Sequence, residues 1–242
     1  MNRLIVDGID AGYGAVTVLR NVSVEVKEGE LVAMLGMNGN GKSTLLNCIL
    51  GYIRPTKGRI ILEWDGEQID LLKLSPDEIV NRGIASVPEG RRLVPNLTVE
   101  ENLTLAGSGK RARGKLKQNL EFCFDTFAIL RERRKQRAST MSGGQQQMLA
   151  IARALMTIPN VMVVDEPSVG LAPIVVDQVI ATIRDLQRTQ NLTILMAEQS
   201  FFQAIDVASR AYVLSHGVII RSFEKGAEQI DQDEIRRAML GV

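Results

Sequence analysis

The chain is poor in cysteine. Its 242 residues include two, Cys48 and Cys123, far apart and without C-x-x-C or Cys/His spacing. That excludes a disulfide framework and a zinc site; two small core residues in a reducing compartment are expected instead. Net charge is scarce too, since 29 Lys+Arg against 28 Asp+Glu leaves +1. A protein held on nucleic acid by phosphate neutralisation carries a strong basic excess, so no nucleic-acid partner is expected. Long apolar runs are also missing. The best, Leu31–Leu35 and Val161–Val164, are strand-sized, against roughly 18 residues for a membrane-spanning helix. The first residues meet Asp7 too soon to form a secretory signal. These features describe a chain of the cytoplasm, unless a partner holds it at a membrane.

What is present describes a globular protein with a real core: 45% apolar and 24% charged residues. The length suits one domain carrying a subdomain. Val22, Val24 and Val26 alternate with polar residues, as a half-buried strand does. Leu31–Leu35 is continuously apolar and reads as a fully buried strand. A helix is expected from about Lys42 to Leu50, stopped by Gly51. Asp65-Gly66 marks a hairpin between Arg59–Trp64 and Glu67–Ile69. Ser75–Glu78 and Thr98–Glu101 read as capping boxes. From 95 to 157 helical periodicity replaces strand signals, as in an inserted helical subdomain. Strands are expected again at Val161–Val164, Leu192–Met196, Tyr212–Leu214 and Val218–Ile220. Helices fall between them at Ile174–Gln190 and Phe201–Ala208. Such alternation predicts an α/β fold with a mainly parallel sheet.

Gly36-Met37-Asn38-Gly39-Asn40-Gly41-Lys42-Ser43 fits G-x-x-x-x-G-K-[ST] between a buried strand and a helix, the setting this phosphate loop requires. Glycines let successive N–H groups face one anion, and the helix start adds its dipole and unsatisfied donors. Lys42 would reach the β- and γ-phosphates of a nucleotide, and the Ser43 hydroxyl would ligate Mg2+. Val161–Val164 ends in Asp165-Glu166. A buried strand thereby delivers two acids to its carboxyl edge, where ligands bind in open α/β sheets. Asp165 is expected in the Mg2+ shell, and Glu166 is placed to orient or deprotonate the attacking water.

Met141-Ser142-Gly143-Gly144-Gln145 precedes a helical run twenty residues before Asp165. Alone it could be a glycine-rich helix cap. With the phosphate loop and the acids in this order, the chain resembles the ATP-binding cassette ATPases of membrane transporters, over nearly its whole length. The resemblance implies a P-loop, RecA-like core formed by residues 1–94 and 158–242, with an N-terminal antiparallel β-subdomain and a helical subdomain at 95–157. It also implies a head-to-tail dimer, in which Ser142, Gly143, Gly144 and Gln145 of one cassette cap the γ-phosphate held by Gly36–Thr44 of another. Thr44 joins the phosphate site on the same ground.

Further roles follow from the resemblance alone. Tyr13, in Gly-Tyr-Gly, matches the aromatic residue that stacks on adenine. Glu89 falls where most cassettes carry a Gln that senses Mg2+ and the membrane subunit. Gln199 occupies the place of the usual switch His, and Ala172 stands where Asp is commoner. An amide bonds but cannot titrate, so Gln199 could bridge γ-phosphate and water without changing charge. The single histidine, His216, sits in a Ser-His-Gly turn and reads as a surface residue. Val-Pro-Glu-Gly-Arg-Arg, Gly-Leu-Ala-Pro and Glu198-Gln199 look like the smaller ATPase of branched-chain amino acid uptake systems, to which urea and aromatic-acid importers are related. The implied partners are a second ATPase, two permeases and, indirectly, an external solute-binding protein. The implied location is peripheral, at the cytoplasmic face of the cell membrane.

Two basic clusters, Lys110–Lys117 and Arg131–Arg137, read as solvated faces, or in the first case as a contact with anionic headgroups. Two other function classes fit less well. DNA-repair cassettes carry a long coiled coil between motifs, ribosomal ones carry two copies, and a P-loop kinase or GTPase gives no reason for Ser-Gly-Gly-Gln.

Overall fold

A computed structural model describes residues 1–224 of the chain. The expected core segment continues to residue 242, so its last part lies outside the described residues. The first two strands, β1 (Arg3–Tyr13) and β2 (Val16–Lys27), form a long hairpin. β4 (Lys57–Trp64) pairs with β1 and β5 (Glu67–Asp70) with β4, giving an antiparallel sheet of order β2-β1-β4-β5. The Asp65-Gly66 turn has positive φ at both residues, as its tight connection requires.

The second sheet has the order β10-β9-β3-β8-β7-β6. Its strands are β3 (Leu31–Leu35), β6 (Ile84–Val87), β7 (Val161–Asp165), β8 (Thr193–Glu198), β9 (Arg210–Ser215) and β10 (Val218–Glu224). All neighbours are parallel except β9 and β10. Both faces are covered, which explains why β3 and β8 are buried at every residue. Side chains alternate between two cores. Leu31, Ala33, Leu35, Met162, Val164 and Met196 pack toward the helical subdomain and the later helices. Val32, Met34, Val161, Val163 and Leu195 pack toward α1 (Lys42–Ile49) and the antiparallel sheet.

Ser75 caps α2 (Pro76–Asn81) and Thr98 caps α3 (Val99–Ala106), each through the expected reciprocal box. Between β6 and β7 the described elements are helical: α3, α4 (Leu116–Thr126), α5 (Ala128–Glu132) and α6 (Gly143–Leu155), with short 3-10 turns. Their apolar faces meet around buried Leu103, Phe124, Leu130 and Leu149. Then come α7 (Pro173–Gln190) and α8 (Phe201–Val207). Cys48 and Cys123 are free and buried, and burial pushes both thiols up to about 12, so they are core residues. Among the described residues no helix is long and apolar enough to cross a membrane.

The two basic clusters are exposed. In the first, Arg111 donates to Ile158 O and Asn160 Oδ1. In the second, Arg131 pairs with Glu121 and Asp125, and Arg134 with Glu100. Four-residue β6 carries too short a pattern to stand out in sequence; it becomes a strand because β7 offers its edge.

Candidate functional site: a phosphate loop at the sheet edge

Parallel register aligns the carboxyl ends of three strands. Leu35 lies opposite Glu198, and Ala197 opposite Asp165. The phosphate loop, the acid pair and the Glu198-Gln199 pair therefore emerge side by side, although they are far apart in sequence.

Gly41, at φ 103°, is the N-cap of α1 and supplies no capping side chain. A residue with a Cβ is strained in that conformation. The first-turn N–H groups thus keep their capacity to bind an anion. Asn40 braces the loop from behind: its Nδ2 donates to Leu214 O at 3.3 Å, and its Oδ1 accepts from His216 N at 3.3 Å. Gly217 N also donates to Asn40 O. His216 is an exposed turn residue, as expected, but its backbone helps hold the loop.

Lys42 Nζ donates to Gly36 O at 2.8 Å and to Met37 O at 3.2 Å. It also pairs with Glu166 Oε1 at 2.9 Å. Both partners are nearly buried, with side chains 3% and 7% exposed. Ser43 Oγ donates to Asp165 Oδ1 at 3.2 Å. Burial raises the Asp165 carboxyl above its ordinary range, with Ser43 pulling the other way. A hydroxyl and a carboxylate in contact beside an anion-binding loop form a hard oxygen donor set, which fits Mg2+ completed by phosphate oxygens and water.

A cleft of about 380 Å³ is lined by Tyr13, Val18, Asn38, Gly39, Gly41, Lys42, Ser43, Thr44, Glu89 and Glu166. An aromatic ring at the end of β1 thus stands over the same space as the lysine and the acid. Tyr13 is 56% exposed. Asp165 adjoins Ser43 and Glu89 in a neighbouring recess.

Gln199 and Ser142–Gln145 are not among the cleft's lining residues. Gln199 follows β8 directly. Ser142 caps α6, where its Oγ accepts from Gln145 N and Gln145 Oε1 accepts from Ser142 N. A Cβ on Gly144 would lie 2.4 Å from Val175 Cγ1, so glycine is what lets α6 start against α7.

Three connections escape a linear reading. Arg91 Nη1 donates to Gln146 Oε1 at 3.1 Å, and Arg153 Nη1 donates to Arg92 O at 2.7 Å. Together they tie the segment after Glu89 to α6. Gly90, Arg91 and Arg92 all have positive φ, a run that bonds from α6 hold in place. The third connection joins Glu198 to Ser168. The adjacency of Glu198 to Gln199 was its one sequence signal.

Residues 19–169 match the family model described as ABC transporter. The chain is 43% identical over 235 residues to the high-affinity branched-chain amino acid transport ATP-binding protein BraG of Pseudomonas aeruginosa, covering 97% of this chain and 98% of that one. It is 34% identical to the probable branched-chain amino acid transport ATP-binding protein LivF of Archaeoglobus fulgidus, covering 97% of each. Among solved structures, a dimeric post-hydrolysis ATP-binding cassette bound to ADP and Pi superposes with a TM-score of 0.77 at 26% identity, covering 91% of this chain and 98% of that one.

Proposed function

Since this chain belongs to the ABC transporter family of ATP-binding, ATP-hydrolysing proteins, we propose that it powers uptake of branched-chain amino acids, or a chemically similar small solute, through a membrane permease. The full-length likeness to BraG carries the choice of solute. The cleft that joins Lys42, Ser43 and Glu166 carries the choice of chemistry.

In this reading ATP enters with adenine on Tyr13 and its phosphates on Gly36–Thr44. Lys42 leaves Glu166 for the β- and γ-phosphates, and the loop N–H groups take the remaining phosphate charge. Ser43 and Asp165, with Glu89 nearby, would hold Mg2+, whose charge would offset that of the phosphates. Freed from Lys42, Glu166 orients the attacking water and accepts its proton. Gln199 hydrogen-bonds the γ-phosphate side of that water without titrating.

A second cassette, identical or homologous, places its Ser142–Gln145 turn over the γ-phosphate. This uses a helix start and a hydroxyl as anion donors. Closing and reopening of the pair passes to two permease subunits through the Glu89 segment and α6, joined by Arg91 and Arg153. The assembly sits peripherally at the cytoplasmic face of the membrane, with a solute-binding protein on the far side.

The test pairs two measurements on Glu166→Gln and the parent. One is MgATP hydrolysis against protein concentration, with size exclusion under ATP. The other is uptake of labelled leucine by proteoliposomes holding the assembled transporter. Glu166→Gln should bind ATP, lose hydrolysis by about 100-fold or more and abolish uptake. Near-parent hydrolysis by the variant removes Glu166 from this role; ATP-driven transport by the parent without leucine uptake removes the solute.

A further inference from the structure

Glu198 is an acidic side chain with almost no access to water, at 1% exposure, and the mechanism above gives it no task. Its carboxylate accepts from Ser168 Oγ at 2.8 Å and from Ser168 N at 3.2 Å. Burial raises the Glu198 carboxyl above its ordinary range, with the Ser168 bonds pulling the other way. A buried acid that accepts both the hydroxyl and the N–H of one residue is a built clamp, since the acid would otherwise be left without those partners.

What it clamps is the segment leaving the acid pair. Glu166 stands at φ 43°, a left-handed conformation that costs a non-glycine residue of order 1–3 kcal/mol and persists only when its surroundings enforce it. Glu166 N donates to Ala197 O at 3.0 Å, and Val169 N donates to Glu166 O at 3.2 Å. The Ser168–Glu198 bonds continue this stitching one step beyond the end of the β7–β8 ladder. On its far side the same segment reaches the start of α6, where Leu171 Cδ2 lies 3.3 Å from the Cβ position of Gly143.

We propose that Glu198 is a positioning residue for ATP hydrolysis, holding Ser168 so that Glu166 keeps the strained backbone from which it faces Lys42 and the phosphate site. The inference rests on Glu166 acting on the attacking water, as proposed above. Losing the clamp lets the segment relax and displaces the acid, while the phosphate loop and Tyr13 remain as they were. Because a displacement of about 1 Å at a reacting group can cost 100-fold in rate, the effect falls on kcat and spares nucleotide affinity.

The experiment measures kcat and KM for MgATP on the assembled transporter, and nucleotide Kd and thermal unfolding on the full chain. The variants are Glu198→Gln, Ser168→Ala, their combination, and Glu166→Gln. Expected for Glu198→Gln is a kcat loss of about tenfold or more, with KM and Kd unchanged within about twofold. Ser168→Ala should lose less, and the double variant should be no slower than Glu198→Gln, because both remove one clamp. The proposal is overturned if kcat stays within about twofold in the folded variants, if the two losses multiply, or if KM rises in step with the loss. Should Glu198→Gln fail to fold, Ser168→Ala decides by the same kcat-against-KM criterion. Inactive Glu166→Gln beside a normal Glu198→Gln overturns the clamp alone, whereas an active Glu166→Gln overturns both readings.

Discussion

Lys42 Nζ and Glu166 Oε1 lie 2.9 Å apart in a nearly buried ion pair, so the two residues best suited to meet phosphate and water occupy each other. In the mechanism proposed above, nucleotide phosphates take the lysine from the carboxylate. The pairing also shields a buried acid that would otherwise stand alone.

Removing one member of such a pair leaves an uncompensated buried charge, at about 3–5 kcal/mol. Lys42→Ala is therefore expected to lower the urea midpoint substantially. The double variant Lys42→Ala/Glu166→Ala should be more stable than Lys42→Ala alone. A double-mutant cycle by equilibrium unfolding checks the coupling, and additive losses would show that the pair contributes nothing.

Tyr13 offers a ring, and its hydroxyl has no assigned task. Tyr13→Ala should weaken ATP binding by about 5- to 150-fold, the loss of one base stacked on an aromatic ring at about 1–3 kcal/mol. Tyr13→Phe should retain affinity. Fluorescence titration with ATP and GTP measures both, and the two nucleotides should lose similar amounts because every base has a π-face.

Asn40 braces the phosphate loop through two side-chain hydrogen bonds, one to the end of β9 at Leu214 and one to the turn that follows it at His216. Asn40→Ala leaves Leu214 O and His216 N without those partners, costing about 1–3 kcal/mol. Nucleotide affinity should fall with stability, since the loop loses its rear support. Calorimetric unfolding with and without ATP separates the two effects.

Asp165 is held above its ordinary value of 3.8 by burial. For an acid raised on folding, its favourable contribution is complete below the unfolded value and is lost as pH rises through the folded one. Asp165→Asn is thus expected to raise the unfolding temperature at pH 7, by about 2–4 °C for each kcal/mol in a chain of this size. That advantage should shrink as pH falls toward 3.8. Hydrolysis supported by Mg2+ should be lost at every pH.

Much of this site is legible in one dimension because its chemistry is local. A phosphate loop needs its glycines, lysine and hydroxyl within eight residues of one strand–helix turn, so Gly36–Ser43 carries the pattern whole. The same holds for the acids ending β7 and for the box that starts α6. Short or context-dependent elements were less visible. β1 carries an irregular apolar pattern, with register shifts along its pairing, and β6 is a strand only by virtue of its neighbour.

By itself the sequence determined the fold class, most of its strands and helices, and the candidate residues for phosphate chemistry, because periodicity and motif spacing are written along the chain. Only the tertiary structure decided what those residues do to one another. The Lys42–Glu166 pair, the Asn40 brace, the Arg91–Gln146 tie and the Ser168–Glu198 clamp all join residues at least 30 positions apart. They meet because parallel strands align their carboxyl edges and because folded turns bring distant backbone polar groups together. Such contacts depend on register and burial, and neither is a property of any single stretch of residues.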